Sequence, residues 1–212
     1  MLKLRTRTIL VLMATAMTPA LTQELVAQVK PAAAKPDPEV KAKLSEFKKL
    51  IKDRKGAKDA EAIQIVDGVL TSFDKLHPKD KKAFAQALYE PLKNPRVKRP
   101  PVDARLFKAV IVALGKTGGD GSKYLASAFK NKKRFGHKDW RSLRAEMLKN
   151  LGKTKDLKYV KFLTDEARRN IEDTLMAAAG QALGEFADMD LKVRKPIAKD
   201  LIKKFSNIYE NA

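Results

Sequence analysis

The sequence predicts an all-α chain, and specifically an α-solenoid: a stack of antiparallel helix pairs. Three observations carry that reading. From Glu39 onward apolar residues recur at helix-face intervals, with no run of two-residue alternation and no Asn-Gly hairpin dipeptide. The dipeptide Leu-Gly recurs at 114–115, 151–152 and 183–184, intervals of 37 and 32 residues (114 to 151, then 151 to 183). Superimposing these pairs aligns Leu106 with Leu143 and Leu175, and Val110 with Met147 and Ala179. A two-helix unit repeating at such a period can bury its apolar face only against its neighbours.

The elements follow in order. Residues 1–27 begin with Lys3, Arg5 and Arg7, run apolar from Ile9 to Ala20, and leave through small residues, the pattern of a secretory signal peptide. The apolar run is about half of the ~20 residues a spanning helix needs. Cleavage after Ala20 or Ala27, and export to the periplasm or the exterior, is therefore the expectation. Residues 28–38 form a linker, because Pro31, Pro36 and Pro38 block helix. The remaining domain, 39–212, reads as helices near 39–53, 59–75, 79–92, 103–114, 121–130, 139–151, 156–167, 171–186 and 190–209. Asp103 and Asp139 stand where N-caps are expected, and Pro100 and Pro101 stop helix just upstream. Gly115 and Gly152 follow the last apolar position of their helices and are expected as C-caps. The stretch 59–92 reads as a diverged copy without Leu-Gly, and 39–53 as an N-terminal cap.

Gly-Lys-Thr, the tripeptide that ends a phosphate-cradling loop, occurs at 115–117 and again at 152–154. Such a loop needs a glycine five positions earlier and a strand before it. Val110 and Met147 occupy those positions within helical patterns, so the nucleotide reading fails.

The segments VIVALGKTGGDGSKYLASAF, EMLKNLGKTKDLKYVKFL and AAAGQALGEFADMDLKV resemble HEAT repeats, in particular the short HEAT-like repeats of phycobilisome lyases. The resemblance covers 103–209 well and 59–92 poorly. It implies a right-handed stack of about four helix pairs that acts as a binding scaffold. It does not carry over lyase activity, because no catalytic residue of that family can be matched.

Composition narrows the chemistry. The chain has no Cys, which excludes disulfides, thiolate metal sites, a Cys nucleophile and lipoprotein anchoring. His77 and His137 lie far apart in basic loops, so no metal site is expected, and no cofactor. Lys plus Arg number 45 against 25 Asp plus Glu, a net charge of +20 that attracts anionic polymers and surfaces.

Pairing the helices as 59–75 with 79–92, 103–114 with 121–130, 139–151 with 156–167 and 171–186 with 190–209 gathers the charge. Turns within pairs (HPKD, KTGGDG, GKTK, ADMD) are mixed or acidic. Connections between pairs are basic: Lys93, Arg96, Lys98 and Arg99 in the first, then Lys130, Lys132, Lys133, Arg134 and Lys138 in the second. Arg168 and Arg169 mark the third, where neighbouring acids read as helix-start charges and i,i+4 partners. The expectation is a basic edge for a protein or an anionic polymer such as a polysaccharide, a phosphate-rich surface or nucleic acid. Phe135 and Trp140 flank the densest loop and can stack on a sugar or base. Trp140 also keeps helical spacing with Leu143 and Met147, which equally suits a core residue.

The leading expectation is a non-enzymatic exported scaffold, binding through its concave face and basic edge. The alternative is a HEAT-like nucleic-acid-binding protein or DNA-repair glycosylase, for which Asp139, Trp140, Arg141 and Arg144 supply suitable side-chain types. Hydrolase motifs such as Gly-x-Ser-x-Gly and His-Glu-x-x-His do not occur.

Overall fold

The computed structural model describes residues 35–169 and 172–210 in backbone, with side chains to Lys203. The expected leader 1–27 and most of the linker lie outside the described residues. Ten α-helices follow: α1 Pro38–Leu50, α2 Asp59–Thr71, α3 Pro78–Lys93, α4 Arg105–Lys116, α5 Gly119–Lys130, the single turn α6 Lys132–Phe135, α7 Arg141–Lys153, α8 Val160–Arg169, α9 Asp173–Gly184 and α10 Leu191–Glu210. No strand occurs among the described residues, and none of their helices is long and apolar enough to cross a membrane.

The helices sit within a few residues of the positions read from periodicity, but their ends are built differently. Asp103 and Asp139 do not cap. Each belongs to a short 3-10 turn, Pro101–Asp103 or Lys138–Trp140, and Ala104 and Trp140 take the N-cap positions without a side-chain bond. Asp103 instead accepts from Arg105 Nε at 2.8 Å. At the other ends, Gly115 and Gly152 lie inside α4 and α7, which run on to Lys116 and Lys153. The left-handed positions come three residues later, at Gly118 (φ 61°) and Lys155 (φ 51°).

Those two glycines do something other than cap. A Cβ on Gly115 would stand 2.9 Å from Cβ of Asn150 on α7, and one on Gly152 would stand 2.6 Å from Cα of Ala182 on α9. Asn150 and Ala182 occupy equivalent positions, each immediately before the next Leu-Gly. Each glycine therefore lets its helix press against the same spot on the following first helix. Gly184 has open space where a Cβ would be.

Contacts run in series along the chain. α2 packs on α4, α4 on α7 and α7 on α9, while α1 packs on α3, α3 on α5 and α8 on α10. The second helices also lie against the first helix of the following unit: α3 on α4, α5 on α7, α8 on α9. This differs from the pairing read from sequence, in which α4 with α5 is the one predicted pair that packs closely. The reason is geometric. α5 touches both α4 and α7, as a helix lying over the groove between two others must, so the following helix is as near as the preceding one.

The aligned residues form the core. Leu106, Leu143 and Leu175, with Val110, Met147 and Ala179, are all buried. Aromatic pairs bridge successive second helices: Tyr89 stacks on Tyr124 at 5.0 Å between centroids, and Phe129 meets Phe162 edge-on at 5.7 Å.

Gly152→Ala is expected to lower the unfolding free energy by about 1–3 kcal/mol through overpacking. Gly184→Ala is expected to be neutral or to raise it by up to about 1 kcal/mol, because helical Ala has no clash there. Urea denaturation of the two variants checks the contrast.

Candidate functional site

Side-chain bonds between distant segments fasten the connections to one another. On one side, Ser122 Oγ donates to Asp156 at 2.7 Å and Lys155 Nζ donates to Asp188 at 2.7 Å, linking three successive turns. On the other, Arg134 donates to the carbonyls of Asn94, Pro91 (2.8 Å) and Val97 (2.5 Å), clamping the α3–α4 connection to α6. Further along, Arg141 Nε donates to Glu172 at 2.5 Å, with Arg144 3.4 Å from the same carboxylate. These bonds join residues 28 to 43 positions apart.

Between the first two basic connections lies a cleft of about 510 Å³. Lys93 and Lys98 line one wall and Lys133 and Arg134 the other, with Pro95 and Trp140 among the apolar surfaces. No carboxylate lines it. The expected charges thus divide by what they touch. Lys93, Arg96, Lys98, Lys130, Lys132, Lys133 and Lys138 are exposed. Lys130 Nζ lies over the Phe162 ring, 5.0 Å from its centroid.

Two arginines expected on the exposed edge are structural instead. Arg99 is buried and forms a two-pronged pair with Asp59, Nε to Oδ2 at 2.6 Å and Nη2 to Oδ1 at 2.5 Å. Its hydrogen bond to the Asp59 carboxylate holds its pKa above the ordinary arginine value. Arg134 is half-buried, with carbonyls and no carboxylate as the partners described above, and desolvation pulls its pKa down to about 10. Its guanidinium also lies 5.2 Å from the centroids of both Phe107 and Phe135.

The aromatic expectation splits too. Phe135 is fully buried, meeting Phe107 and Trp140 edge-on at 5.8 and 5.5 Å, so it has no face for a ligand. Trp140 is half-buried: it packs on Phe135 and Phe107 and still lines the cleft.

Arg168 does not extend this edge. It lines a separate groove of about 410 Å³ between α8 and α10, together with Asp165 and Asp200. The side chain of Arg169 lies outside the described residues. Asp165, expected beside Arg168 and Arg169, is 4.0 Å from Lys161 one turn earlier. Of the residues weighed for a glycosylase pocket, Arg141 and Arg144 are engaged with Glu172, and Arg144 lies over Phe129 at 4.6 Å. His77 and His137 accept backbone N–H bonds at helix starts, from Lys79 (3.1 Å) and Asp139 (3.4 Å). No cluster of His or acidic residues suited to a metal is found among the described residues.

Sequence reasoning missed α6 and the clamp it carries. A single turn gives no periodicity to read. The visible signal was only Arg134 and Phe135 side by side, one polar and one apolar residue in a basic run.

Comparison with known protein families, curated proteins and solved structures finds no match.

Arg134→Lys is expected to cost about 1–3 kcal/mol, because an ammonium cannot fork to three carbonyls. Lys132→Gln on the same turn is expected to stay within about 0.5 kcal/mol. Asp59→Asn, which strands the buried Arg99 charge, is expected to cost about 3–5 kcal/mol. Thermal and chemical denaturation of the three variants measure the order.

Proposed function

We propose that residues 38–210 form a HEAT-like α-solenoid serving as a non-enzymatic scaffold for an anionic polymer, delivered outside the cytoplasm by the N-terminal leader. The stacking half of this reading is supported by the contact pattern: each long helix packs closely only on long helices one or two places away in the chain. The series of one-repeat hydrogen bonds along both sets of connections points the same way.

One observation carries the binding half. Arg134 holds the first two basic connections together, so exposed Lys93, Lys98 and Lys133 line one cleft without a carboxylate, and Arg96, Lys132 and Lys138 are exposed in the same two connections. Clustered exposed lysines repel one another, and a polyanion relieves that repulsion while releasing its own condensed counterions. Binding of this kind is salt-sensitive and has weak sequence preference.

Reversing four edge charges outside the cleft (Arg96→Glu, Lys130→Glu, Lys132→Glu and Lys138→Glu) is expected to lower the salt needed for elution from immobilised heparin and DNA. The slope of log affinity against log salt on DNA is expected to fall by about 0.9 for each phosphate no longer neutralised. Unchanged elution would contradict the proposed role of the edge.

A further inference from the structure

Resting on the polyanion reading above, we propose that the cleft between the α3–α4 connection and α6 is a subsite for one tetrahedral oxyanion ester, a phosphate or sulfate monoester whose ring lies against Trp140. The size suits it, since about 510 Å³ falls within the range of small-ligand clefts. Its walls bring cations from two segments, Lys93 and Lys98 from one and Lys133 from the other.

The arginines of the cleft decide which anion fits. A planar carboxylate is best held by a guanidinium fork, in two parallel hydrogen bonds. Both forks here are engaged: Arg99 on Asp59, Arg134 on the carbonyls of Pro91, Asn94 and Val97. The groups left for a ligand are ammonium ions, which act as separate point charges on rotatable stems. A monoester with three free oxygens offers each of Lys93, Lys98 and Lys133 an acceptor in its own direction.

The charge balance points the same way. Asp59 neutralises Arg99 within the protein, but the described partners of Arg134 are carbonyls, so among the described residues no carboxylate pairs with the positive charge there. An oxyanion beside it supplies the missing negative charge in a partly desolvated place, where such charge is worth most. Pro95 and the half-buried indole of Trp140 add apolar surface against which a sugar or base can lie.

Trp140 is the sole tryptophan of the chain, so intrinsic fluorescence reports this cleft directly. The test is a titration of the full chain with AMP, N-acetylglucosamine 6-sulfate, inorganic phosphate and glucuronate. A saturable change in emission is expected with at least one ester, weaker with inorganic phosphate and absent with glucuronate. The variant Lys93→Gln/Lys98→Gln/Lys133→Gln, whose three side chains are exposed and whose helicity is checked by circular dichroism, is expected to raise the ester Kd about tenfold or more, which is about 1.4 kcal/mol. The four-charge edge variant described above is expected to leave that Kd within about threefold. AMP as the tighter ester assigns the subsite to a terminal phosphate monoester, as at the end of a nucleic-acid strand, and the sugar sulfate assigns it to a sulfated polysaccharide.

No saturable change with either ester, or an unchanged Kd in the triple variant, would overturn the subsite. The two proposals fail separately. Heparin retention that depends on the edge charges, without any ester response, keeps the edge and removes the cleft. An ester response with retention indifferent to the edge variant keeps the cleft and removes the edge.

Discussion

The arrangement rests on a backbone-to-helix contact that only glycine permits. α4 and α7 each carry, one residue before their last, a glycine whose missing Cβ makes room for the next first helix, at Asn150 and Ala182 respectively. Close approach does two things at once. It sets adjacent first helices at a spacing where Leu114, Leu151 and Leu183, together with their aligned neighbours, bury completely or nearly so. It also fixes how successive connections meet, so a side chain on one can reach the backbone of the one before. Arg134 uses that reach across 37 to 43 residues, and Lys155 meets the side chain of Asp188 across 33. A larger side chain at these glycines would have to push the helices apart, and the reach would fail with them.

Arginine and lysine divide the labour between structure and surface. Arg99, Arg134 and Arg144 are wholly or partly buried, and each uses its planar fork or its flat face: on Asp59, on three carbonyls, on the Phe129 ring. The exposed cations around the cleft are nearly all lysines. The difference is physical. A guanidinium is more weakly hydrated and can satisfy several acceptors in a plane, so it tolerates burial; an ammonium is compact, strongly hydrated and stays in water. The net charge of +20 therefore overstates the freely available positive surface.

Much of the helical order was legible in the sequence because helix periodicity is a local signal. Aligning the Leu-Gly pairs also picked out core residues, since Leu106, Leu143 and Leu175 are all buried. What those glycines do was not. A glycine after the last apolar residue reads as a cap, and only the position of the neighbouring helix shows that Gly115 and Gly152 sit within helices at points of close approach. Which helices pack as neighbours was hidden for the same reason, since connection length does not reveal a helix lying over a groove. At the site, the two basic connections and the place of Trp140 could be read from composition and order. The inward turn of Arg99, Arg134 and Phe135 could not. Their partners, Asp59, the carbonyls of 91–97 and Phe107, lie 28 to 43 residues away in sequence, and nothing local distinguishes an arginine with such a partner from a lysine without one.

The most direct measurement of the central claim is a three-dimensional NOESY spectrum of the isotopically labelled protein in solution. The account predicts cross-peaks between the α-hydrogens of Gly115 and the β-hydrogens of Asn150, and between those of Gly152 and the α-hydrogen of Ala182. Helices α4, α7 and α9 present with their ordinary intrahelical cross-peaks, but without both of these, would contradict it.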